Sequence, residues 1–343
     1  MIAPKLQELP APPPGRTGWP WTEGSPPIPP GDGWPQISVV VPSYQQGQFL
    51  EETLRSVLLQ GYPDLELLVM DGGSSDQSVD VLRKYEPFLT GWVSERDSGQ
   101  SAAINKGWRR ARGALLTWLN SDDTLQPGWA AAAARAFRED ADLDVAYCDV
   151  QMIDRDSRPL WVFWGREPSI EELMLKWRAP FAQQGFLMRR RTFEKCGYLD
   201  ESIHFTMDAE YWLRIMTAGA KFNHIRQTLA ASRLHDAAKT ATKRDVFLAD
   251  LLKLTDDFCR SAPPEMAPLV DKVRRRKYWN AAHVSYDGDE RRSAIRFALR
   301  HLRDDGINAA PRVGGMIALS LSGAWGHRAL SAWRRLHNRL EPR

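Results

Sequence analysis

The chain has 343 residues, of which 43% are hydrophobic and 26% charged, so it can bury a large α/β core and carry a smaller appended unit. Its three cysteines, Cys148, Cys196 and Cys259, are far apart and lack C-x-x-C spacing, which argues against a disulfide framework and a structural zinc site. The longest apolar run, residues 313–325, is shorter than a membrane-spanning helix, and no signal-peptide pattern is present. We therefore expect a cytoplasmic protein.

Residues 1–36 are rich in Pro and Gly and contain Trp19, Trp21 and Trp34. Such a Pro-rich segment cannot form a helix or a central strand. Indole rings tend to pack on a surface. We predict an extended N-terminal arm that lies on the body of the protein.

From residue 37 onward, short apolar runs alternate with amphipathic stretches. The runs cover residues 37–41, 65–70, 115–119 and 145–147. The apolar spacing within 50–58 predicts one helix, and Ser74-x-x-Gln77 resembles a capping box that would open a second helix ending at Tyr85. This alternation predicts an α/β fold with a mostly parallel sheet that is buried on both faces.

Polar residues follow three of these runs, at Pro42-Ser43-Tyr44, at Asp71-Gly72-Gly73 and at 120–123 (Asn-Ser-Asp-Asp). In open α/β sheets, ligands bind in the crevice beyond the carboxyl ends of the strands. We therefore expect the three segments to line one pocket. The ring of Tyr44 could stack on a nucleobase there, although ordinary packing also explains an aromatic residue at a strand end.

Asp122 and Asp123 are adjacent carboxylates after a buried strand, a costly arrangement unless a cation or hydrogen bonds compensate. Mg²⁺ and Mn²⁺ are suitable cations, because they combine one or two carboxylates with phosphate oxygens of a substrate. A turn followed by a helix cap is the alternative interpretation of the same four residues.

The segment 97–107 contains Gly99, which allows close backbone approach, followed by small residues that open a helix. The N-terminus of such a helix can face a phosphate or a ribose. Lys106 could contact the same ligand or be an ordinary solvated helix residue.

Taken together, the segments 39–44, 71–74, 97–107 and 120–123 resemble the inverting glycosyltransferases of family 2, of the bacterial surface-polysaccharide type. The resemblance covers about residues 37–240 and implies the GT-A fold, a Rossmann-like mostly parallel sheet flanked by helices. It implies a domain at 37–243, with a nucleotide-sugar half at 37–125 and an acceptor half at 126–243. No G-x-G-x-x-G motif follows the first strand, which argues against a dinucleotide-dependent oxidoreductase.

The resemblance also implies a nucleotide-diphosphate sugar as donor and Mn²⁺ or Mg²⁺ as cofactor. The residues that it implies for the donor are Pro42, Ser43, Tyr44, Asp71, Gln100, Asn105, Lys106 and Asp122. It assigns the metal to Asp123 and His235, the latter in a segment that continues to Lys239 and Thr240. Gly72 stands where many members of the family have the acidic residue implicated in reading uracil, so the base of the donor stays open.

Met207 and Asp208 open an amphipathic helix, and the resemblance makes Asp208 the catalytic base, with Met207 in place of the usual glutamate. Without the resemblance, an aspartate at this position indicates a helix cap. Residues 179–190 are expected on the acceptor side, although a strand that continues the sheet fits them equally well. The candidate sugar contacts are Trp177, Gln183, Gln184 and Trp212.

Residues 244–343 are predicted to form a basic helical extension, with helices at 246–260 and 266–343. The basic clusters at 274–277 and 334–335 could contact anionic lipids at the inner face of a membrane if the acceptor is a lipid-linked sugar. Nucleic acid binding and a solvated helical face are alternatives, and we expect no nucleic acid. A polyprenyl-phosphate glycosyltransferase or a non-catalytic nucleotide-sugar-binding protein would show many of the same motifs.

Overall fold

The computed structural model describes residues 4–29, 31, 33–235, 244–287 and 289–321, except for the side chains of 307 and 308. The chain divides into two compact units, the first comprising Met1–Ile170 and Ala179–Ala241, and the second Glu171–Arg178 and Thr242–Arg343. The N-terminal arm thus belongs to the first unit. The second unit takes Glu171–Arg178, which the predicted boundaries placed in the first domain.

The first unit is built on a nine-stranded sheet within the described residues. Its strands are β1 (Ile37–Ser43), β2 (Leu65–Asp71), β3 (Gly91–Ser94), β4 (Leu115–Trp118), β5 (Thr124–Leu125), β6 (Val145–Ile153), β7 (Pro159–Phe163), β8 (Leu187–Arg189) and β9 (Phe222–Arg233). The order is β3-β2-β1-β4-β8-β6-β9-β5, with β7 paired to β6. The pairs among β1, β2, β3 and β4 and the long β6–β9 pair are parallel, which confirms the predicted mostly parallel sheet.

The helices that connect these strands are α1 (Gly47–Leu58), α2 (Ser78–Tyr85), α3 (Gln100–Arg110), α4 (Trp129–Glu139), α5 (Ile170–Lys176), α6 (Arg190–Cys196) and α7 (Met207–Thr217). The predicted start of α2 at the Ser74 capping box is wrong. Ser74 Oγ donates to Asp71 Oδ1 at 2.6 Å, so this hydroxyl closes the loop after β2 and α2 begins only at Ser78.

The core of the first unit forms where β1 and β2 pack against α1 and α4. All residues of β1 and β2 are buried, and the apolar face of α1 predicted from the spacing within 50–58 is enclosed with them. A central parallel sheet is covered by helices on both faces, so its strands are apolar throughout. The polar residues of the site are therefore confined to the strand ends.

Arg55 fastens the N-terminal arm to α1. Its guanidinium is 1% exposed and donates to the carbonyl oxygens of Pro10, Pro20 and Trp21 at 2.8–2.9 Å and to the hydroxyl of Tyr85 at 3.0 Å. A buried guanidinium is tolerated when its N–H groups have acceptors, and the arm supplies three of them. The arm is thus part of the packed unit, as its tryptophans predicted.

We predict that Arg55→Ala lowers the free energy of unfolding by about 3 kcal/mol, because three arm carbonyls and Tyr85 lose a charged donor in a buried site. The measurement is urea unfolding followed by tryptophan fluorescence, with limited proteolysis to test whether the arm is released. Arg83→Ala is the control, since the Arg83 side chain is 67% exposed in its ion pair with Asp80. Equal stability of the two variants would contradict the role of Arg55.

The second unit contains the helices Arg244–Ser261, Ala267–Asp287, Arg291–Asp305 and Ala310–Leu321. Within the range 266–343 that was predicted to be helical, one helix ends at Asp287 and the next begins at Arg291. Arg274 donates to the carbonyl of Cys259, and Lys277 pairs with Asp256, so two members of the 274–277 cluster are engaged inside the unit. The cluster at 334–335 lies outside the described residues. No helix in the described part of the chain is long and apolar enough to cross a membrane.

Candidate active site

The short β5–β9 ladder brings together residues that are far apart in sequence. Asp122 and Asp123 lie in the turn between β4 and β5, and β5 pairs antiparallel with the end of β9, with Thr124 opposite Ala231. This register places the turn beside the residues that follow β9. His235 consequently meets Asp122 across 113 residues of sequence.

His235 and Asp122 form a closely spaced pair of potential metal ligands. His235 Nε2 lies 3.0 Å from Asp122 Oδ2, and the two side chains are 3% and 17% exposed. At this distance the two side chains are hydrogen-bonded to each other, which holds both potential ligands in one place. Imidazole and carboxylate also suit Mn²⁺ chemically.

A Mn²⁺ or Mg²⁺ ion held by this pair would need further ligands. Among the described residues, no group of three or more His, Cys, Asp or Glu side chains could hold a metal ion. Mg²⁺-type sites usually combine one or two protein ligands with waters and substrate phosphates. The residues present therefore fit an ion that binds together with a phosphate-containing donor.

Asp123 is enclosed by the protein. It is 2% exposed, its Oδ1 accepts from the Arg233 backbone N–H at 2.9 Å, and its Oδ2 accepts from Asn120 at 3.0 Å and Gln184 at 2.8 Å. Both carboxylate oxygens are thus occupied by protein donors. Asp122 lies beside His235, whereas Asp123 holds the turn.

Arg233 joins this turn to two other parts of the first unit, a role that the sequence analysis missed. Its guanidinium donates to the carbonyl of Asp122 at 2.9 Å, to Glu52 on α1 at 3.1 Å and to Ser157 in the β6–β7 turn at 2.8 Å. The same guanidinium lies 4.8 Å from the ring of Phe49, which also contacts the His235 ring. Arg233 therefore fixes both the turn and the surroundings of His235.

Four of the residues predicted to contact the donor lie near the strand ends: Pro42, Ser43, Tyr44 and Gln100. Tyr44 is 62% exposed at the end of β1, and Gln100 donates to Asn120 Oδ1 at 2.7 Å, so these two lie at the strand ends together with Asp122. Pro42 and Ser43 are buried in β1, where Ser43 Oγ has no hydrogen-bond partner among the described residues.

Asp71, Asn105 and Lys106 are engaged by the protein itself. Asp71 is fully buried, and its Oδ2 accepts from Gly73, Ser74 and Ser94, which shapes the loop after β2. Asn105 bonds to the backbone of Leu199, and Lys106 forms an ion pair with Glu95 at 2.8 Å. These three side chains thus organise the loop after β2 and the surroundings of α3, and their contact with a donor stays a prediction.

The residues predicted to contact the acceptor all have partners within the protein. Trp212 is fully buried and stacks on Trp118, with ring centroids 5.9 Å apart, and Gln183 is buried and donates to the Trp118 carbonyl. Gln184 is committed to Asp123 and Ser232. Trp177 belongs to the second unit, where its indole N–H donates to Thr255.

Asp208 lies in the first turn of α7 and is half-buried. The residue before it, Met207, is buried, and its sulfur accepts a hydrogen bond from Ser101 Oγ at 3.0 Å. Ser101 follows Gln100, whose amide donates to Asn120 in the turn that carries Asp122. Two short contacts thus connect the start of α7, through α3, to the candidate metal site.

We predict that the metal-free protein loses stability as the pH rises from about 4 to about 7. Burial, with the charge of Asp122 as the second cause, raises the pKa of Asp123 from 3.8 to about 7 although three hydrogen bonds favour the ionised form. The unfolded chain releases this proton at lower pH than the native state does, so deprotonation favours unfolding within that window. The measurement is Tm against pH in EDTA.

Asp123→Asn is the comparison for this experiment, because its amide does not titrate. Its Tm should depend less on pH between about 4 and 7 than that of the unaltered chain. Parallel profiles for the two proteins would show that Asp123 is ionised in the native state throughout the range.

The chain resembles known proteins in both sequence and fold. Residues 38–197 match the family described as Glycosyl transferase family 2. Chondroitin synthase of Escherichia coli is 24% identical over 231 residues, which cover 65% of this chain and 32% of the synthase. The chain thus spans about a third of the length of that relative.

Solved structures share the fold. S. aureus TarS 1–349 in complex with UDP-GlcNAc superposes with a TM-score of 0.58 at 14% identity, covering 85% of this chain and 88% of TarS 1–349. The mannosyltransferase PcManGT from Pyrobaculum calidifontis, in complex with GDP-Man and Mn²⁺, gives a TM-score of 0.56 at 18% identity, covering 88% and 84%. At these identities the likeness shows the fold alone.

Proposed function

Because this chain is a glycosyltransferase of family 2, we propose that it transfers a sugar, with inversion, from a nucleoside-diphosphate sugar to a hydroxyl of a glycan or a lipid-linked oligosaccharide. The observation that carries the proposal is the approach of His235 to within 3.0 Å of Asp122 at the strand ends. The similarity to chondroitin synthase supports a place in polysaccharide synthesis. Exposed Arg275 and Arg276 are available for anionic headgroups around a lipid-linked acceptor.

Asp122 and His235 are the proposed ligands of Mn²⁺ or Mg²⁺. When bound, the ion supplies Lewis-acid stabilisation of the charge on the leaving diphosphate. The protein contributes rigidity, because Arg233 and Asp123 fix the turn before any ligand binds. A preorganised ligand pair does not have to be reordered when the donor enters, which favours stabilisation of the departing group.

Asp208 is the proposed general base. In an inverting displacement the acceptor hydroxyl attacks the anomeric carbon on the face opposite the leaving group, and its proton passes to a carboxylate on the acceptor side. Asp208 lies on α7, whereas Asp122 and His235 lie on other elements. The proposed base and the proposed metal ligands can therefore approach the donor sugar from different sides. General-base assistance is typically worth about 10²–10⁴-fold in rate.

We predict that Asp122→Asn and His235→Gln each weaken Mn²⁺ binding at least tenfold, because each removes one of the two proposed ligands. Isothermal titration with Mn²⁺ in the presence of a nucleoside diphosphate measures this. His224→Gln is the matched control, since His224 forms another His–Asp pair, 2.8 Å from Asp149, in the same unit. If His235→Gln and His224→Gln bind Mn²⁺ alike, His235 is not a ligand.

We predict that Asp208→Asn retains donor affinity but transfers sugar about 10²–10⁴-fold more slowly, because the amide cannot take a proton. Donor binding is measured by titration calorimetry and transfer by the release of nucleoside diphosphate in the presence of acceptor. Glu210→Gln, two residues further along α7 in an ion pair with Arg214, is the control for helix stability. Transfer at the unaltered rate in Asp208→Asn would remove Asp208 from this role.

A further inference from the structure

Gly72, directly after β2, faces a carboxylate and an aromatic ring. A Cβ placed on Gly72 would lie 3.1 and 3.3 Å from the two carboxylate oxygens of Asp97 and 3.3 Å from Cδ2 of Tyr44. The φ angle of Gly72 lies outside the left-handed region, so its backbone does not require glycine. A Cβ at this position would be closer to the Asp97 carboxylate and the Tyr44 ring than ordinary van der Waals contact allows, so a larger residue at 72 would press on both.

The two loops that form this recess are held by hydrogen bonds. Asp71 binds the N–H groups of Gly73 and Ser74, and its carbonyl accepts from the Glu95 N–H at 3.0 Å, which ties the loop after β2 to the loop after β3. Asp97 Oδ1 accepts from the Gly99 N–H at 2.9 Å. Among the described residues, no donor contacts Asp97 Oδ2, so the carboxylate is oriented and still has accepting capacity.

Tyr44 connects this recess to the candidate metal site. Its ring, 62% exposed, forms one side of the recess. The next residue, Gln45, bonds through its N–H to Ser74, and Gln46 reaches Asp122 Oδ2 with its amide at 3.5 Å. Residues 44–46 therefore run from the recess to Asp122. A nucleoside diphosphate bound with its phosphates near Asp122 would have its base beside Tyr44, Gly72 and Asp97.

We propose that Asp97 selects guanine and that the donor is a GDP-sugar, an inference that rests on the proposed function. An ionised carboxylate only accepts hydrogen bonds. Guanine presents two adjacent donors, N1–H and the 2-amino group, and can pair with both carboxylate oxygens. Uracil and thymine present one N–H between two carbonyls, and adenine and cytosine present an amino group beside an acceptor nitrogen. Guanine is therefore the base whose edge can donate to both carboxylate oxygens of Asp97 at once, whereas the edge of each other base also presents an acceptor that a carboxylate cannot satisfy.

The test is calorimetric binding of GDP, IDP and UDP to the full chain with Mn²⁺. IDP lacks only the 2-amino group of GDP and therefore isolates one of the two proposed hydrogen bonds. We expect GDP to bind about tenfold more tightly than IDP and still more tightly than UDP, because a paired base edge discriminates by factors of this order. Asp97→Asn should weaken GDP about tenfold and abolish the difference between GDP and IDP.

Glu95→Gln is the matched control, because Glu95 lies on the same loop and its side chain pairs with Lys106 instead. It should leave the order of the three nucleotides unchanged. Gly72→Ala is a second variant, and it should weaken GDP by displacing the Asp97 carboxylate. Thermal unfolding of each variant checks that the fold is intact.

Two results would overturn the guanine assignment alone. One is tighter binding of UDP than of GDP, and the other is a GDP–IDP difference that persists in Asp97→Asn. Either result leaves a nucleoside diphosphate bound and so preserves the proposed function. Failure of GDP, IDP and UDP all to bind would overturn the proposed donor chemistry as well.

Discussion

The buried guanidinium of Arg233 is the interaction on which the candidate site depends. Arg233 lies at the end of β9. Its guanidinium donates to the Asp122 carbonyl, to Glu52 on α1 and to Ser157 in the β6–β7 turn, and its backbone N–H donates to Asp123. Removing the partner of a buried charge lowers the free energy of unfolding by about 3–5 kcal/mol, so separating these elements from Arg233 would be strongly destabilising. The position of Asp122 and His235, the proposed metal ligands, therefore depends on the packing of three elements around the Arg233 guanidinium.

The two adjacent carboxylates of the turn differ in role: Asp123 is structural, and Asp122 is the proposed metal ligand. Asp123 is directed into the protein, where desolvation would be prohibitive without the three donors that meet it. Asp122 is left at the surface of the crevice with His235 and Gln46 as neighbours. A residue whose oxygens are saturated by the protein cannot exchange them for a metal without breaking the turn. The more exposed carboxylate is the one that can change partners during a reaction cycle.

Local periodicity was sufficient to predict β1, β2, α1 and the start of α7, because each depends on residues close in sequence. It could not distinguish Asp122 from Asp123, since their difference in depth is imposed by a two-residue ladder to β9, more than 100 positions away. The prediction of Trp212 as a sugar contact has a related explanation. Apolar spacing shows that a helix has a buried face, but not that the indole stacks on Trp118 instead of facing a sugar. Gly72 was recognised only as a missing side chain, because nothing local places the Asp97 carboxylate beside it.

Residues 44–46 connect the recess at Gly72 to Asp122, one of the two proposed metal ligands. Gln45 has a φ of 54°, a left-handed conformation that is uncommon for a side chain of its size, and two hydrogen bonds to Ser74 and Ser75 hold it there. The segment therefore has little freedom to adjust its length. A nucleoside diphosphate that binds as proposed would have its base and its phosphates held at a fixed separation. A base of another size would then shift the phosphates away from the proposed metal ligands, so base recognition at Asp97 and metal binding at Asp122 would depend on each other.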